Sequence, residues 1–332
     1  MWMRMMSSKV FSAVVKPSCR ARVASIGECM IELKQAQGGP AAGLYSSWFG
    51  GDTLNTSVYL ARLGVAVDYI TALGDDPLSD EMIAGWREEG VGTAKVARLK
   101  GKLPGIYLIA TDAIGERRFF HWRETAAARS LLDLPETEAM LRSLGSYDVV
   151  YLSAVTLSIY PEAGRARLLE ALRQARGRGA RIAFDTNFRV RGWPDLDVAR
   201  AIFRETFATS DIVLASTEDL LPLYPNEATD SLLAMIPGDE VVLRLAEPKS
   251  IVRIAGTSHQ VEAAPLTAPV VDTTAAGDSF SAAYIAARLA GCEPVAAARA
   301  GHGLAGIVVC HPGAIIPRSA MPATSDIVKA SP

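Results

Sequence analysis

The sequence predicts a three-layer α/β fold, in which helices cover a mainly parallel central sheet and a small β-sheet forms a lid. Three observations support this fold class. From residue 147 onward, short apolar runs alternate with amphipathic helical segments, which is the pattern of parallel strands joined by helices. Between Leu103 and Arg123 the hydrophobic period changes to two, which predicts a hairpin. Near the amino terminus, the pair Gly50-Gly51 precedes a helical pattern.

The composition is that of an ordinary folded protein, because 49% of the 332 residues are apolar and 21% are charged. The formal net charge is −2 and the chain has no long basic run, so it lacks the electrostatic signature of binding to nucleic acid or to a membrane surface. Its cysteines form no CxxC pair, and we expect reduced thiols in a cytoplasmic protein.

The first 22 residues differ from the rest, since they contain basic residues and no acidic one. A targeting peptide has this bias, but the segment lacks a clean apolar core with a small-residue cleavage site, so we expect a disordered extension over 1–22. We find no internal repeat or low-complexity linker. We therefore expect one main domain, with an inserted lid formed largely by about 34–50 and 102–124.

The predicted elements follow in order along the chain. A strand at 23–27 precedes a helix that begins after Asp52 or Thr53 and ends at Gly64. A strand at 65–73 comes next. The later predicted strands are 147–153, 181–184, 212–215 and 241–245, and the later predicted helices are 162–176, 278–289 and 294–309.

The predicted hairpin pairs residues 105–111 with 117–123 around a turn at 112–116. On its second strand His121 and Arg123 share one face. Such an aromatic and basic hairpin is poorly suited to a core. We therefore expect it to cover a site.

The sharpest local signal is Asp-Thr-Thr-Ala-Ala-Gly-Asp-Ser-Phe at 272–280, followed by a helical pattern. Small residues at 275–277 let a ligand approach the backbone, and a helix that starts there directs unpaired N–H groups at an anion. Asp278 would place a carboxylate in the same space, where it could accept a proton during phosphoryl transfer. A capped helix with an acidic first turn has the same pattern, so spacing alone leaves both interpretations open. No GxxxxGK(S/T) sequence occurs, which excludes a P-loop, and the lone glycine of Ile26-Gly27-Glu28 does not make a GxGxxG dinucleotide site.

The 272–280 sequence resembles the carboxyl-terminal signature of the ribokinase-like (PfkB) carbohydrate kinases, written D-T-x-G-A-G-D. Gly50-Gly51 followed by Asn55 resembles the amino-terminal motif of that family. The resemblance covers about 23–321, which implies a ribokinase-like domain there and a tail at 322–332. It also implies ATP and Mg²⁺ as cofactors and leaves open a monovalent cation. The implied catalytic group is Asp278, with an anion hole formed by Ala275, Ala276, Gly277 and Asp278.

Within the family, the sequences at 27–32, 49–56 and 272–279 resemble the 2-keto-3-deoxygluconate kinases. This implies ATP-dependent phosphorylation of that sugar acid at its C6 hydroxyl. A carboxylate substrate needs cations, and an arginine can bind a carboxylate through two parallel hydrogen bonds. His121 stands where this subgroup has an aromatic hydroxyl. The implied substrate-binding residues are Gly50, Gly51, Asp52, Asn55, Tyr107, His121, Arg123 and Arg189.

The nucleotide side departs from the family pattern at two places. Ser216 and Asp219 stand where many members have Asn-x-x-Glu, and Ala246 replaces a glycine. The resemblance implies that Asp219 acts on Mg²⁺ through water, since Mg²⁺ keeps much of its hydration shell. The implied nucleotide-binding residues are Ser216, Asp219, Arg244, Ala246, Thr274, Gly277 and Gly313.

Two other functions stay open: a kinase of a neutral ketose such as fructose, and a sugar-acid-binding protein that has lost kinase activity. Asp278 favours an active kinase, because a pure binding protein has little need for a base. Apolar lid residues favour a homodimer through the lid, or a higher homo-oligomer. We also expect the helix-terminal position of Asp278 to keep its pKa low.

Overall fold

The computed structural model describes residues 21–35, 43–111 and 117–325. Its strands are β1 (Arg22–Ile26), β2 (Met30–Gln35), β3 (Tyr45–Gly50), β4 (Ala66–Gly74), β5 (Val96–Leu99), β6 (Ile106–Thr111), β7 (Arg117–Trp122), β8 (Val149–Ser153), β9 (Arg181–Asp185), β10 (Ile212–Ser216), β11 (Glu240–Arg244), β12 (Lys249–Ile254) and β13 (Thr257–Glu262). Its α-helices are α1 (Asp52–Arg62), α2 (Pro77–Glu88), α3 (Thr137–Ser143), α4 (Ala154–Ile159), α5 (Glu162–Gly177), α6 (Leu196–Thr209), α7 (Thr217–Leu220), α8 (Thr229–Ala234), α9 (Ala276–Leu289) and α10 (Pro294–Val308).

Nine strands form the central sheet in the order β13-β12-β11-β10-β9-β8-β1-β4-β5. Neighbours from β11 to β5 are parallel, whereas β12 and β13 extend one edge in antiparallel fashion. Two apolar cores cover the sheet, one containing Phe184 and Phe203 and the other containing Tyr284 and Leu304. All four side chains are fully buried. This arrangement confirms the predicted three-layer fold with a mainly parallel sheet.

A second sheet of four strands, in the order β3-β2-β6-β7, corresponds to the predicted lid. The pair β2–β6 is parallel, and the two outer pairs are antiparallel. The sheet starts at Met30, before the predicted start at 34, and the predicted turn at 112–116 lies outside the described residues. Several aromatic side chains of this sheet are 44% to 59% exposed, namely Tyr45, Trp48, Phe119, Phe120 and Trp122. A homodimer formed through this surface stays a prediction.

The topology gathers polar residues at one edge of the central sheet, because parallel strands all end on the same side. Asp185 ends β9 and pairs with Ser153 at the end of β8, while Ser216 ends β10 beside Arg244 of β11. Helix α9 begins at this edge and packs closely on α10. A Cβ at Gly301 of α10 would lie 2.8 Å from the ring of Phe280. Within the described residues, no helix has both the length and the apolar character needed to cross a membrane.

Candidate active site

The two sequence motifs meet at Asp278. Ala275 adopts the left-handed conformation, with φ of 60°, and α9 begins at the next residue. Asp278 lies in the first turn of α9, and its Oδ2 accepts a hydrogen bond of 2.8 Å from Nδ2 of Asn55 in α1. The hydroxyl of Thr56 lies 3.2 Å from the carbonyl oxygen of Asp278. The predicted base is therefore held by the glycine–asparagine motif, 223 positions away in the sequence.

The two positions that precede α1 have no room for a side chain, which explains why both are glycine. A Cβ at Gly51 would lie 2.3 Å from the carbonyl oxygen of Glu28. A Cβ at Gly50 would lie 2.4 Å from the hydroxyl of Tyr107, so Gly50 and Tyr107 line the same space. The loop after β1, the start of α1 and the lid strand β6 thus converge on one site.

Replacing Gly51 by alanine is expected to lower the free energy of unfolding by about 1–3 kcal/mol, because the added methyl group overlaps backbone atoms that cannot rotate away. The shift should also move Asn55 and raise the KM for the sugar. Chemical denaturation and steady-state kinetics measure the two effects.

Gly177→Ala is the matched control, because Gly177 ends α5 and a Cβ there would meet no described atom within 4 Å. It should leave the KM unchanged and raise stability by up to about 1 kcal/mol. If Gly51→Ala behaves like this control, the close approach at Gly51 does not constrain the site.

The electrostatics of Asp278 differ from the sequence-based expectation. Burial, followed by the carboxylates of Asp52 and Asp185, raises the pKa of Asp278 to about 8. The hydrogen bond from Asn55 and the charge of Arg244 act in the opposite direction. The expectation of a low pKa was wrong, because burial and two neighbouring carboxylates outweigh the helix terminus.

Asp52, the first residue of α1, joins this cluster. Its Oδ1 accepts a hydrogen bond of 2.8 Å from the Thr53 amide, and its Oδ2 accepts one of 2.6 Å from Nδ2 of Asn187. Asn187 was not predicted as a site residue. It lies two residues beyond the carboxyl end of β9, where the parallel strands end, and this position brings it to the site.

Arg123 is paired with Glu28, a second residue that was not predicted. The guanidinium Nη2 of Arg123 donates to Oε2 of Glu28, whose side chain is only 1% exposed. Oε1 of Glu28 and Nε of Arg123 are both buried and have no hydrogen-bond partner among the described residues. Burial raises the pKa of Glu28, while Arg123 lowers it. Arg123 is the residue that follows the lid strand β7, a position called here the root of the lid. Glu28 compensates part of its charge.

The lid places two further predicted residues together. The hydroxyl of Tyr107 donates a hydrogen bond to Oε2 of Glu32 on the neighbouring strand. Burial and the Glu32 carboxylate raise the pKa of Tyr107. The imidazole of His121 stacks on Tyr107 with 5.9 Å between ring centroids. Glu32 is thus another acceptor beside Gly50 that the sequence analysis did not identify as a site residue.

Arg189 is the more exposed of the two predicted substrate-binding arginines. Its side chain is 64% exposed, and its Nη1 contacts Oδ1 of Asp219 at 3.3 Å. Asp219 itself is buried and accepts hydrogen bonds at Oδ2 from Thr186 and Ser216, at 2.8 and 2.7 Å. Ser216 also caps α7 through the Asp219 amide. Asp219 therefore organises this loop from within, and a direct bond to a metal would compete with these contacts.

Thr274 and Gly313 lie near the start of α9, whereas Ala246 lies in a separate cavity. Asp272 joins Thr274 to Gly313, because its Oδ1 accepts from the Thr274 amide at 3.0 Å and its Oδ2 accepts from the Gly313 amide at 3.1 Å. Ala246 is exposed and lines a cavity of about 180 Å³ together with Leu245 and Glu247. Within the described ranges, no group of three or more His, Cys, Asp or Glu residues has the arrangement of a metal site.

Comparison with known proteins finds sugar kinases whose sequences are similar to this chain. The chain is 43% identical over 311 residues to the 2-dehydro-3-deoxygluconokinase of Dickeya dadantii (strain 3937), an alignment that covers 91% of this chain and 98% of the relative. It is 39% identical over 312 residues to the 2-dehydro-3-deoxygluconokinase of Escherichia coli (strain K12), with coverage of 91% and 99%. A fructokinase of Vibrio alginolyticus is 26% identical over 240 residues, which cover 71% of this chain and 75% of the relative.

Solved structures confirm the predicted ribokinase-like fold. The crystal structure of a fructokinase with bound ATP from Xylella fastidiosa has a TM-score of 0.79 at 22% identity and covers 93% of this chain and 98% of that one. The 2-dehydro-3-deoxygluconokinase of Thermotoga maritima has a TM-score of 0.79 at 21% identity, with the same coverage. The family description "pfkB family carbohydrate kinase" matches residues 20–321. The chain belongs to the pfkB family of carbohydrate kinases.

Proposed function

We propose that this chain transfers the γ-phosphoryl group of MgATP to the C6 hydroxyl of 2-keto-3-deoxygluconate, also written 2-dehydro-3-deoxygluconate. The observation that carries the proposal is the position of Asp278, held by Asn55 at 2.8 Å in the first turn of α9. The relatives that are 43% and 39% identical over nearly their full length support the choice of sugar.

Asp278 is the group that accepts the proton of the attacking hydroxyl. Phosphoryl transfer passes through a loose transition state, so catalysis depends mainly on positioning and on stabilising the charge of the transferred group. The backbone amides at the start of α9 supply that stabilisation, because the first N–H groups of a helix have no intrahelical acceptor. Mg²⁺ bound with the nucleotide would help to neutralise the phosphate charge and would keep several water ligands, and Asp219 would hold it through such a water.

Arginine side chains bind the substrate carboxylate. Arg189 presents a mostly exposed guanidinium, and Arg123 lies at the root of the lid. Tyr107, Glu32 and the Gly50 backbone bind hydroxyl groups from the lid side. Closure of the lid excludes water, which limits hydrolysis of ATP.

A neutral ketose is the second candidate substrate. One specific observation favours it: Glu28 already compensates part of the charge of Arg123, so this arginine has less charge to offer a carboxylate. The fructokinase that is 26% identical shares the family but is a more distant relative.

An assay of ADP release with MgATP distinguishes the two substrates. The sugars to compare are 2-keto-3-deoxygluconate, its galactonate epimer, fructose and ribose, each with the wild type and with Arg189→Ala. Turnover restricted to the keto-deoxy acids, with a KM that rises about tenfold or more in Arg189→Ala, supports the proposal. Turnover of neutral sugars alone, unaffected by Arg189→Ala, contradicts it and favours the second candidate.

The raised pKa of Asp278 predicts a pH dependence. The base must be ionised to accept a proton, so kcat/KM should rise with pH between about 6 and 8 and then level off near the pKa of about 8. The substrate carboxylate stays ionised over this range and contributes no change. A profile that is flat from pH 6 to 8.5 would show that Asp278 is fully ionised or does not act as the base.

A further inference from the structure

Arg244, the last residue of β11, lies beneath the first turn of α9 and is mostly buried. Its Nη1 donates to the carbonyl oxygen of Gly277 at 3.0 Å, and its Nη2 donates to Oδ1 of Asp185 at 3.0 Å. Its Nε donates to the carbonyl oxygen of Ala215 at 3.3 Å. The side chain is only 14% exposed, and its Cζ lies 5.6 Å from the centroid of the Phe280 ring. Every nitrogen of the guanidinium thus has an acceptor within the protein.

Asp185 fixes the guanidinium in this position. Its side chain is 3% exposed, and its Oδ2 accepts a hydrogen bond of 2.6 Å from the hydroxyl of Ser281 in α9. Its Oδ1 also accepts from the amide of Asn187 at 3.3 Å. A buried charge pair with such additional hydrogen bonds resists rearrangement, because moving either partner leaves the other uncompensated. Asp185 therefore ties the end of β9 to Arg244 and to the second turn of α9.

The contact with Gly277 has a direct consequence for the anion site. In a trans peptide the C=O and the following N–H lie in one plane and point in opposite directions. Holding the Gly277 carbonyl on the sheet side therefore directs the N–H of Asp278 to the other side of the same peptide. The hydroxyl of Thr56, at 3.2 Å from the Asp278 carbonyl, lies against the next peptide. The orientation of the first turn is thus set by side chains from β11 and α1.

The guanidinium of Arg244 leaves no room for a side chain at position 277. A Cβ at position 277 would lie 2.9 Å from Nη1 of Arg244, and its next nearest neighbours would be Cζ and Nη2 of the same side chain, at 3.6 and 3.8 Å. A larger residue would push away the guanidinium that holds its own carbonyl. Residues 244 and 277 therefore form one structural unit.

We propose that Arg244 is a positioning residue for phosphoryl transfer: anchored by Asp185, its guanidinium holds the Gly277 carbonyl and so aims the first-turn amides of α9 at the transferred phosphoryl group. This inference rests on the proposed kinase reaction but not on the identity of the sugar. It replaces the sequence-based expectation that Arg244 binds the nucleotide directly.

Arg244→Met tests the inference, because it keeps an unbranched apolar stem and removes the guanidinium with all its hydrogen-bond donors. Misdirected amides should lower kcat about tenfold to a hundredfold, while the KM values for ATP and for the sugar change less than about threefold. Arg244→Lys keeps the charge next to Asp185 but lacks the planar fork that reaches two acceptors at fixed angles. It should restore the melting temperature towards that of the wild type, with kcat still reduced about tenfold.

Gly277→Ala supplies an independent variant that retains the arginine and displaces it. Alone it should lower kcat to a similar extent as Arg244→Met. In the double variant Arg244→Met/Gly277→Ala the second change should add less than about twofold, because the group that the methyl displaces is already gone. Gly177→Ala is the control for an added methyl group on a helix.

The outcomes are separable. A rise of tenfold or more in the KM for ATP with kcat retained, or losses in the two single variants that multiply in the double variant, would overturn the inference and favour direct nucleotide binding. Should Arg244→Met fail to fold, Gly277→Ala and Arg244→Lys decide by the same criteria. A wild type that turns over only neutral sugars contradicts the proposed substrate and leaves this comparison intact. A wild type with no turnover on any sugar contradicts both proposals.

Discussion

Asp278→Asn should lower kcat by about 10²- to 10⁴-fold, which is the range that a positioned general base contributes. Asparagine has nearly the same shape as aspartate and can still accept a hydrogen bond from Asn55, which donates to Asp278 at 2.8 Å. Binding of ATP and of the sugar should therefore persist, and their KM values should change little. Steady-state kinetics, together with ligand-induced shifts of the melting temperature, separate loss of chemistry from loss of binding.

The same variant should be at least as stable as the wild type, and its advantage should grow with pH. The folded-state pKa of Asp278, about 8, lies above the ordinary value of 3.8. A carboxyl group with a raised pKa binds more protons when folded than when unfolded, so the wild type loses stability as pH rises from about 4 to 8. The amide that the substitution introduces does not titrate. The difference in melting temperature should thus be near zero at pH 4 and largest above pH 8.

Glu138→Gln provides the control for removing a carboxylate from the first turn of a helix. Glu138 lies in the first turn of α3, and its ion pair with Arg167 is exposed at the surface. Its replacement should leave kcat and stability essentially unchanged. If Asp278→Asn retained kcat within a few-fold of this control, Asp278 would not be the base.

The fold was largely predictable because its strands are buried on both faces and so read as continuous apolar runs. The predicted strand at 147–153 includes β8, and the predicted helix at 162–176 matches α5 within one residue. The order of strands was not predictable in the same way. β1 lies between β8 and β4. This placement depends on the face of the sheet along which each connecting helix packs, and no single segment of the sequence determines it.

The candidate site was predictable where a motif fixes both chemistry and spacing. Asn55 and Asp278 were identified as site residues, and their side chains are in contact. Glu28 and Glu32 were not identified, because a carboxylate at the end of an apolar run is ordinarily a solvated residue. Glu28 is buried and Glu32 is partly buried, and the lid residues Arg123 and Tyr107 lie against them. The only sequence signal for them is their position inside the 27–32 segment.

The pKa of Asp278 shows the same limit. The first-turn position was readable from the sequence and favours ionisation. The two neighbouring carboxylates come from α1 and from the end of β9, so their approach follows from the assembled sheet edge and from no local pattern. Long-range contacts of this kind reverse a prediction that is correct for an isolated helix.

Arg123→Ala should lower the free energy of unfolding by about 3–5 kcal/mol, because it leaves the carboxylate of Glu28 buried without its cation. The Glu28 side chain is 1% exposed, and burial already raises its pKa. Without Arg123 that pKa should rise further, so the loss of stability should be largest at high pH and shrink as pH falls and Glu28 is protonated. Denaturation curves at pH 5 and pH 8.5 measure the difference.

Adding Glu28→Gln to Arg123→Ala should recover most of the lost stability, because a neutral amide is far less costly to bury than a carboxylate. The double variant then isolates the role of Arg123 in binding. Its KM for 2-keto-3-deoxygluconate should rise about tenfold to a hundredfold, which is the range for one hydrogen bond to a charged group. Arg189→Ala is the matched comparison: its side chain is 64% exposed and the Asp219 carboxylate keeps its other donors, so it should raise the KM with a much smaller loss of stability. A double variant that recovers both stability and the wild-type KM would assign Arg123 to the lid root alone and leave Arg189 as the group that binds the carboxylate.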